Sequence, residues 1–304
     1  MQRKPFLVLL LVLVAALDAG CSNSENGCVT PDAELDADVP GDEGGTDADV
    51  PEVLPTCTPP TVSCGDGEHA EYGFCVPDTE ELAVPGGSFD MGAAGGTDVP
   101  LHNVTLAAFV IDRTEVTNVR YQACVSAGCC TPPTYDGSYS GRQPYFGDVR
   151  YANYPVVFVR WDHAQQYCAG LGKRLPTEAQ WEFAARGTDG RTFPWGSNPP
   201  TTTLAHFDEA LGGDTAQVAY HSAGASPYGA MDMAGNVWEW VADWYGETYY
   251  TSSPANDPPG PDTGIARVVR GGSFASPADQ LFAYTRMWFL PADSYGTVGF
   301  RCAR

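Results

Sequence analysis

Glu178 and Glu182 stand four residues apart in a segment with helical punctuation, a spacing that places both carboxyls on one helix face and could serve as a general acid and base. Both also flank Trp181, where a capping and solvated role accounts for them without catalysis. The five histidines, His69, His102, His163, His206 and His221, are scattered singly and read as surface or hydrogen-bonding residues rather than a metal triad. No Gly-x-Ser-x-Gly elbow and no glycine-rich phosphate loop occurs. Ten cysteines without a Cys-x-x-Cys pair point to disulfides and an oxidising compartment.

Three helices are expected to position these groups. Thr117 can cap a helix with Tyr121, Cys124 and Val125 on one face, ending at Gly128. Asp162 can cap a second with Ala164, Tyr167, Cys168 and Leu171 inward, ending at Gly172. Thr177-Glu-Ala-Gln180 reads as a capping box for a third, with Trp181, Ala184 and Ala185 as its apolar face and Gly187 as its stop. Short strands are expected at 106–111, 156–159 and 267–270, separated by long Gly/Pro loops. Aromatic residues and both signs of charge begin together near residue 81, so 81–304 should hold a single sizeable core.

Charge is unevenly placed. The chain has 304 residues and a net charge of −22; no Lys or Arg occurs from Pro5 to Asp112, a stretch that holds 20 acids. An acidic leader repels phosphates and nothing later forms a basic stripe, which excludes nucleic acid as a partner. Arg3 and Lys4 precede an apolar run from Phe6 to Leu17, the length of a signal-peptide core and short of the ~20 residues that span a bilayer. The run closes on Leu17-Asp-Ala-Gly-Cys21, which resembles a bacterial lipobox with Asp18 as its departure. Residues 1–20 then read as a lipoprotein signal peptide and Cys21 as the lipidated residue; a plain signal peptide with Cys21 in a disulfide is the alternative. Residues 21–56, rich in Asp, Gly, Pro and Ala, read as a disordered acidic tether. Residues 57–80 read as a small collar stapled by Cys57, Cys64 and Cys75, one of which must pair elsewhere, Cys28 being a candidate. The chain is expected to be exported and anchored to a membrane by lipid, in the periplasm or at the outer-membrane surface.

Seven strings carry a more specific signal: Gly87-Ser-Phe-Asp-Met-Gly92, Glu115-Val-Thr-Asn118, Lys173-Arg-Leu-Pro-Thr-Glu-Ala-Gln-Trp-Glu-Phe-Ala-Ala-Arg-Gly187, Pro194-Trp-Gly196, Asp232-Met-Ala-Gly-Asn-Val-Trp-Glu-Trp240, Arg270-Gly-Gly-Ser-Phe274 and Gly299-Phe-Arg301. In this order they resemble the formylglycine-generating enzyme, or sulfatase-modifying factor, family over 81–304. The resemblance implies an α+β, C-type-lectin-like fold with sparse regular structure. It also implies an oxidase that uses O₂ and copper to convert a Cys, within a Cys-x-Pro-x-Arg segment, to formylglycine. In that family two cysteines soon after the Arg-Gly-Gly-Ser motif hold the copper. Here Ser276 stands at the first of these positions, the second is ambiguous, and no cysteine occurs between Cys168 and Cys302. Copper(I) selects soft thiolates, which a Ser hydroxyl does not replace.

The resemblance further implies a structural Ca²⁺ held by Asp232, Glu239 and the carbonyls of Gly235 and Val237, all oxygen donors suited to a hard cation. It implies a Cys168–Cys302 disulfide and, because Ala185 occupies the partner position, no second family bridge. Cys124 is then left to pair with Cys129 or Cys130. Two functions follow as expectations. One is a non-catalytic binding module in which a groove bordered by Trp238, Ser273 and Ser276 takes an envelope protein, a peptide or a glycan. The other is a formylglycine-generating oxidase, or another oxidoreductase, working through a non-standard site.

Overall fold

The computed structural model describes residues 61–304 apart from 78–79, 95–99 and 209–212, all within one compact unit. The expected signal peptide and acidic tether, with Cys21, Cys28 and Cys57, lie outside the described residues.

Regular structure is sparse and mixed, as an α+β reading requires. A hairpin of β1 (Glu68–Glu71) and β2 (Phe74–Pro77) leads into β3 (Glu81–Val84) and β4 (Gly87–Met91), then β5 (His102–Leu106) and β6 (Phe109–Asp112). β3 pairs with β6 and β4 with β5, both antiparallel. The expected strand at 106–111 is therefore two strands in separate ribbons. The chain leaves the ladder at Ala107, whose N–H donates to Asp257 Oδ1 at 2.8 Å.

The helices follow, α1 (Asn118–Ser126), α2 (Trp161–Gly170) and α3 (Glu178–Arg186). Thr117 sits at the N-cap of α1 without a side-chain cap bond. In α3 both halves of the capping box form, Thr177 accepting from Gln180 N–H and Gln180 reaching back to Thr177 N–H. α2 starts earlier than its capping signal: Arg160 is the N-cap and Asp162 lies in the first turn, paired with Arg160. No strand forms at 156–159. That segment runs through the core with Phe158 at φ +57°, and only Pro155 makes an isolated bridge, to Thr117.

The main sheet is built late in the chain, from β7 (Trp238–Trp244), β8 (Arg267–Arg270), β9 (Arg286–Phe289) and β10 (Val298–Phe300), in the order β10-β7-β8-β9. β10 runs parallel to β7 and the other pairs are antiparallel. Trp181, Phe183, Phe89 and Val241 fill one core cluster, where α3 packs on β4 and β7. Tyr121, Tyr167, Trp240 and Phe300 fill the other. The Cys168–Cys302 disulfide lies inside this second cluster and ties α2 to the C-terminal residues. Cys64–Cys75 staples the first hairpin, Cys124–Cys130 closes the loop after α1, and Cys129 is disulfide-bonded as well. These disulfides fit an oxidising, exported setting. Among the described residues no helix is long and apolar enough to cross a membrane.

The hairpin is docked into the same body as the helices. Glu71 accepts from Arg120 in α1 and from Tyr167 Oη at 2.7 Å in α2, and His69 stands 2.8 Å away. Burial alone would raise its carboxyl, but His69 and the Arg120 guanidinium outweigh that and hold it at about 2.

Candidate functional site: the face built on the Ser273–Ser276 turn

β8 delivers Arg270 into the core and then turns sharply. Arg270 is fully buried; Nη2 donates to Glu182 Oε2 at 2.5 Å and Nη1 to the carbonyls of Tyr284 and Thr285 at 3.0 and 2.8 Å. Glu182 also accepts from Gly92 N–H and from Arg186 at 2.9 and 2.8 Å, and Glu178 takes both prongs of Arg286 at 2.9 Å each. The two glutamates are thus neither an exposed acid/base pair nor solvated. They are buried ion-pair partners that pin α3 to β8 and β9, and both sets of acceptor oxygens are occupied.

Past Arg270 the chain takes positive φ at Gly271 and Gly272. A Cβ on Gly272 would lie 2.7 Å from Leu281 Cδ2 and 3.6 Å from Ser276 Cβ, so those two side chains converge on one spot beside a residue that must be glycine. Ser273 N–H donates to Ser276 Oγ at 3.1 Å, the two hydroxyls stand 3.4 Å apart, and Ala275 N–H donates to Ser273 Oγ. The turn satisfies its own hydroxyls. Leu281, fully buried, supplies the facing surface. Every cysteine among the described residues is in a disulfide, so no thiolate is offered to a soft metal there.

Trp238, Ser273 and Ser276, expected to border an open groove, are 5%, 2% and 3% exposed. They form the floor under the site rather than its walls: Trp238 packs into the second core cluster, and His206 and Asp208 lie against the turn. Asp208 N–H donates to Ser276 O, and the ring of Phe274 meets both His206 and Tyr139.

The Asp232–Glu239 turn lies in the same layer. Asp232 and Asn236 adopt positive φ, and a Cβ on Gly235 would sit 2.3 Å from His206 O. Asp232 Oδ2 accepts from Ala219 N–H at 2.6 Å; Asn236 accepts from Ala216 N–H and donates to Glu115 Oε1, both at 2.9 Å. Glu239 accepts from Arg301 on both oxygens, at 2.6 and 2.7 Å, and from Trp181 Nε1 at 2.8 Å. Glu115, Asp232 and Glu239 thus gather around one guanidinium. Burial, followed by the Asp232 charge, pushes the Glu115 carboxyl well up, and burial raises Asp232. Glu115 Oε2 is buried with no partner.

Residues 73–304 match the Sulfatase-modifying factor enzyme 1-like domain. The chain belongs to the sulfatase-modifying factor family. It is 37% identical over 278 residues to the formylglycine-generating enzyme of Streptomyces coelicolor, covering 73% of this chain and 88% of that one. It is also 37% identical over 248 residues to the serine/threonine-protein kinase Pkn1 of Chlamydia trachomatis; that match covers 74% of this chain but 38% of the kinase. Among solved structures, PvdO from Pseudomonas aeruginosa superposes with a TM-score of 0.62 at 28% identity, over 74% of this chain and 93% of PvdO. The fold is accordingly that of the formylglycine-generating enzymes. Within this sulfatase-modifying-factor domain, the seven family strings supply most of the ion-paired floor, Glu115, Glu178, Glu182, Asp232, Glu239, Arg270 and Arg301, while Arg286 lies outside them. The upper layer of the site, from His206 to His221 and from Thr134 to Tyr145, falls outside all seven. Its one sequence signal is the Tyr/Ser/Gly composition of 134–145, which has no periodicity to point inward or outward.

Proposed function

We propose that this sulfatase-modifying-factor domain is a non-catalytic binding module of the cell envelope. In this reading it is exported, held to a membrane through lipid on Cys21 and spaced from it by the acidic tether. The observation that carries the proposal is the turn itself: Ser276, already hydrogen-bonded within it, and the buried Leu281 lie beside Gly272, and every cysteine among the described residues is in a disulfide, so copper is offered a hydroxyl and no thiolate. The test is to incubate the purified chain with copper(I), oxygen and a Cys-x-Pro-x-Arg peptide and read the peptide's mass. Unchanged peptide is expected, together with copper(I) binding gained only in the Ser276→Cys, Leu281→Cys double variant. Thiol-to-aldehyde conversion by the unaltered chain would instead establish the oxidase reading, working through another site.

A structural calcium ion is part of this reading. Three buried carboxyls share one guanidinium at the Asp232–Glu239 turn and burial pushes two of them toward the neutral form; a hard cation held by Asp232, Glu239 and the Gly235 and Val237 carbonyls would favour the ionised forms. The ion would share Glu239 with Arg301. Chelation should then lower the thermal midpoint of the chain, since a ligand that binds only the folded state stabilises it; an unshifted midpoint removes calcium from the proposal.

A further inference from the structure

Above the buried turn lies an open cavity of about 500 Å³, whose wall is formed by His206, Asp214, Gln217, Tyr220 and His221 on one side and by Ser140 and Arg142 on the other. A second cavity of about 400 Å³, lined by Tyr135, Tyr139 and Tyr295 among others, lies on the opposite side of the same 138–142 loop. Both fall within the ~300–1,000 Å³ typical of small-ligand sites. We propose that the first cavity, with the tyrosine-lined loop beside it, binds a neutral oligosaccharide. This rests on the binding-module reading above and gives that reading a site and a ligand class.

Charge decides against an ionic ligand. Among the described residues the one guanidinium in the cavity is that of Arg142, and it is committed: Nη1 donates to Thr215 O at 3.0 Å, Nε stands 3.4 Å from Asp214 Oδ2, and the group lies over the rings of Tyr151 and Tyr154. Asp214 in turn accepts from Ser138 and Ser140 and from Thr215 N–H. One cation and one anion therefore neutralise each other inside the wall, which leaves nothing to balance a phosphate or a carboxylate. Burial, then the His206 ring beside it, holds His221 below the usual imidazole range, so it adds no charge near neutral pH.

What remains is suited to hydroxyl groups. His221 Nε2 is a buried polar atom without a partner. The Gln217 amide is exposed and offers two donors and an acceptor. Tyr220, 72% exposed, stands edge-on to His221 at 5.0 Å and presents a ring face whose cost of solvent exposure an apolar sugar face would relieve. Tyr135, Tyr139 and Tyr295 extend the aromatic surface across the loop, each 37–49% exposed. Tyrosine, serine and glycine in one loop give large contact area at low entropic cost with adaptable hydrogen bonding. The loop is also fixed before any ligand arrives, because Ser138, Ser140 and Arg142 all anchor on Asp214. An extended peptide finds no partner for its backbone here, since the segments 138–142, 213–221 and 294–297 contain no strand edge.

The experiment is an array of neutral and of acidic oligosaccharides probed with the intact chain and with Tyr220→Ala and Gln217→Ala, using Ile265→Ala at a distant exposed position as control. Binding confined to neutral glycans is expected, weakened at least tenfold by Tyr220→Ala and severalfold by Gln217→Ala, with the control and all thermal midpoints unchanged. Absence of neutral-glycan binding, preference for acidic glycans, or binding that Tyr220→Ala leaves intact would overturn the site. The peptide-oxidation assay separates the two levels: a chain inert there that also ignores neutral glycans loses the sugar site alone, whereas a chain that oxidises the peptide loses the binding-module reading.

Discussion

Beneath the turn and above it, the same domain is built on opposite rules. Below, Arg270, Arg286 and Arg301 are buried and each is matched to a carboxylate, Glu182, Glu178 and Glu239, with further N–H groups on backbone carbonyls and Arg270 Nε alone of Arg270's nitrogens left without a partner. Above, the described residues of 134–145 and 206–221 carry exposed tyrosines, one paired Arg–Asp contact and no helix or strand. Charges taken out of water must be paired, and any one removed strands its partner. A polar surface left in water carries no such penalty and tolerates replacement. The lower layer therefore fixes the fold, and the upper layer is where function can change without unfolding the protein.

The largest expected effect breaks the lower layer covalently. Cys168→Ser with Cys302→Ser opens a loop of 134 residues, and the chain-entropy model assigns about 4–5 kcal/mol to so long a closure; denaturant unfolding of the two forms measures it. Next, Arg301→Ala should cost about 3–5 kcal/mol, because it strands Glu239 beside Glu115 and Asp232. A loss under about 1 kcal/mol, the range of exposed pairs, would put that network in the class of surface salt bridges.

pH separates two parts of the lower layer by sign. Glu71 is held at about 2, below its unfolded value of 4.5, so its contribution is complete above about pH 4.5 and disappears as the pH falls toward 2. Glu115 is displaced upward, so its contribution is present below about pH 4.5 and is lost as the pH rises through its folded value. Glu71→Gln should therefore flatten the acid limb of stability against pH, and Glu115→Gln the limb above it, with Asn236 still bonded to the new amide oxygen. Smallest of all, Tyr220→Ala should leave the midpoint within about 0.5 kcal/mol of the unaltered chain, as exposed substitutions do. A large loss there would erase the distinction between the layers.

Much of the lower layer was legible in the residues. The capping box at Thr177, the Cys168–Cys302 link expected from the family strings and the strand at 267–270 are all present as anticipated. Asp162 misled as a cap because Arg160 pairs with it from the preceding position. The 156–159 segment misled because a run of Val and Phe reads the same whether it lies in a ladder or threads a core. Glu178 and Glu182 looked solvated because helical spacing fixes a face and not what covers it. Trp238, Ser273 and Ser276 looked like groove walls because nothing local announces that the first packs into the core or that His206 and Asp208 lie against the turn.

The sequence alone determined what each short segment could become: where α3 begins, which cysteines exist to be joined, and that no thiol follows Arg270-Gly-Gly-Ser. Those are local matters of capping, composition and absence. Only the tertiary structure decided that Leu281 and Ser276 both lie beside Gly272, that three carboxyls share Arg301, and that Asp214 braces a tyrosine loop from 70 residues and more away. Such contacts join positions distant in the chain, and their energies depend on burial and pairing, which exist only once the layers have closed on one another.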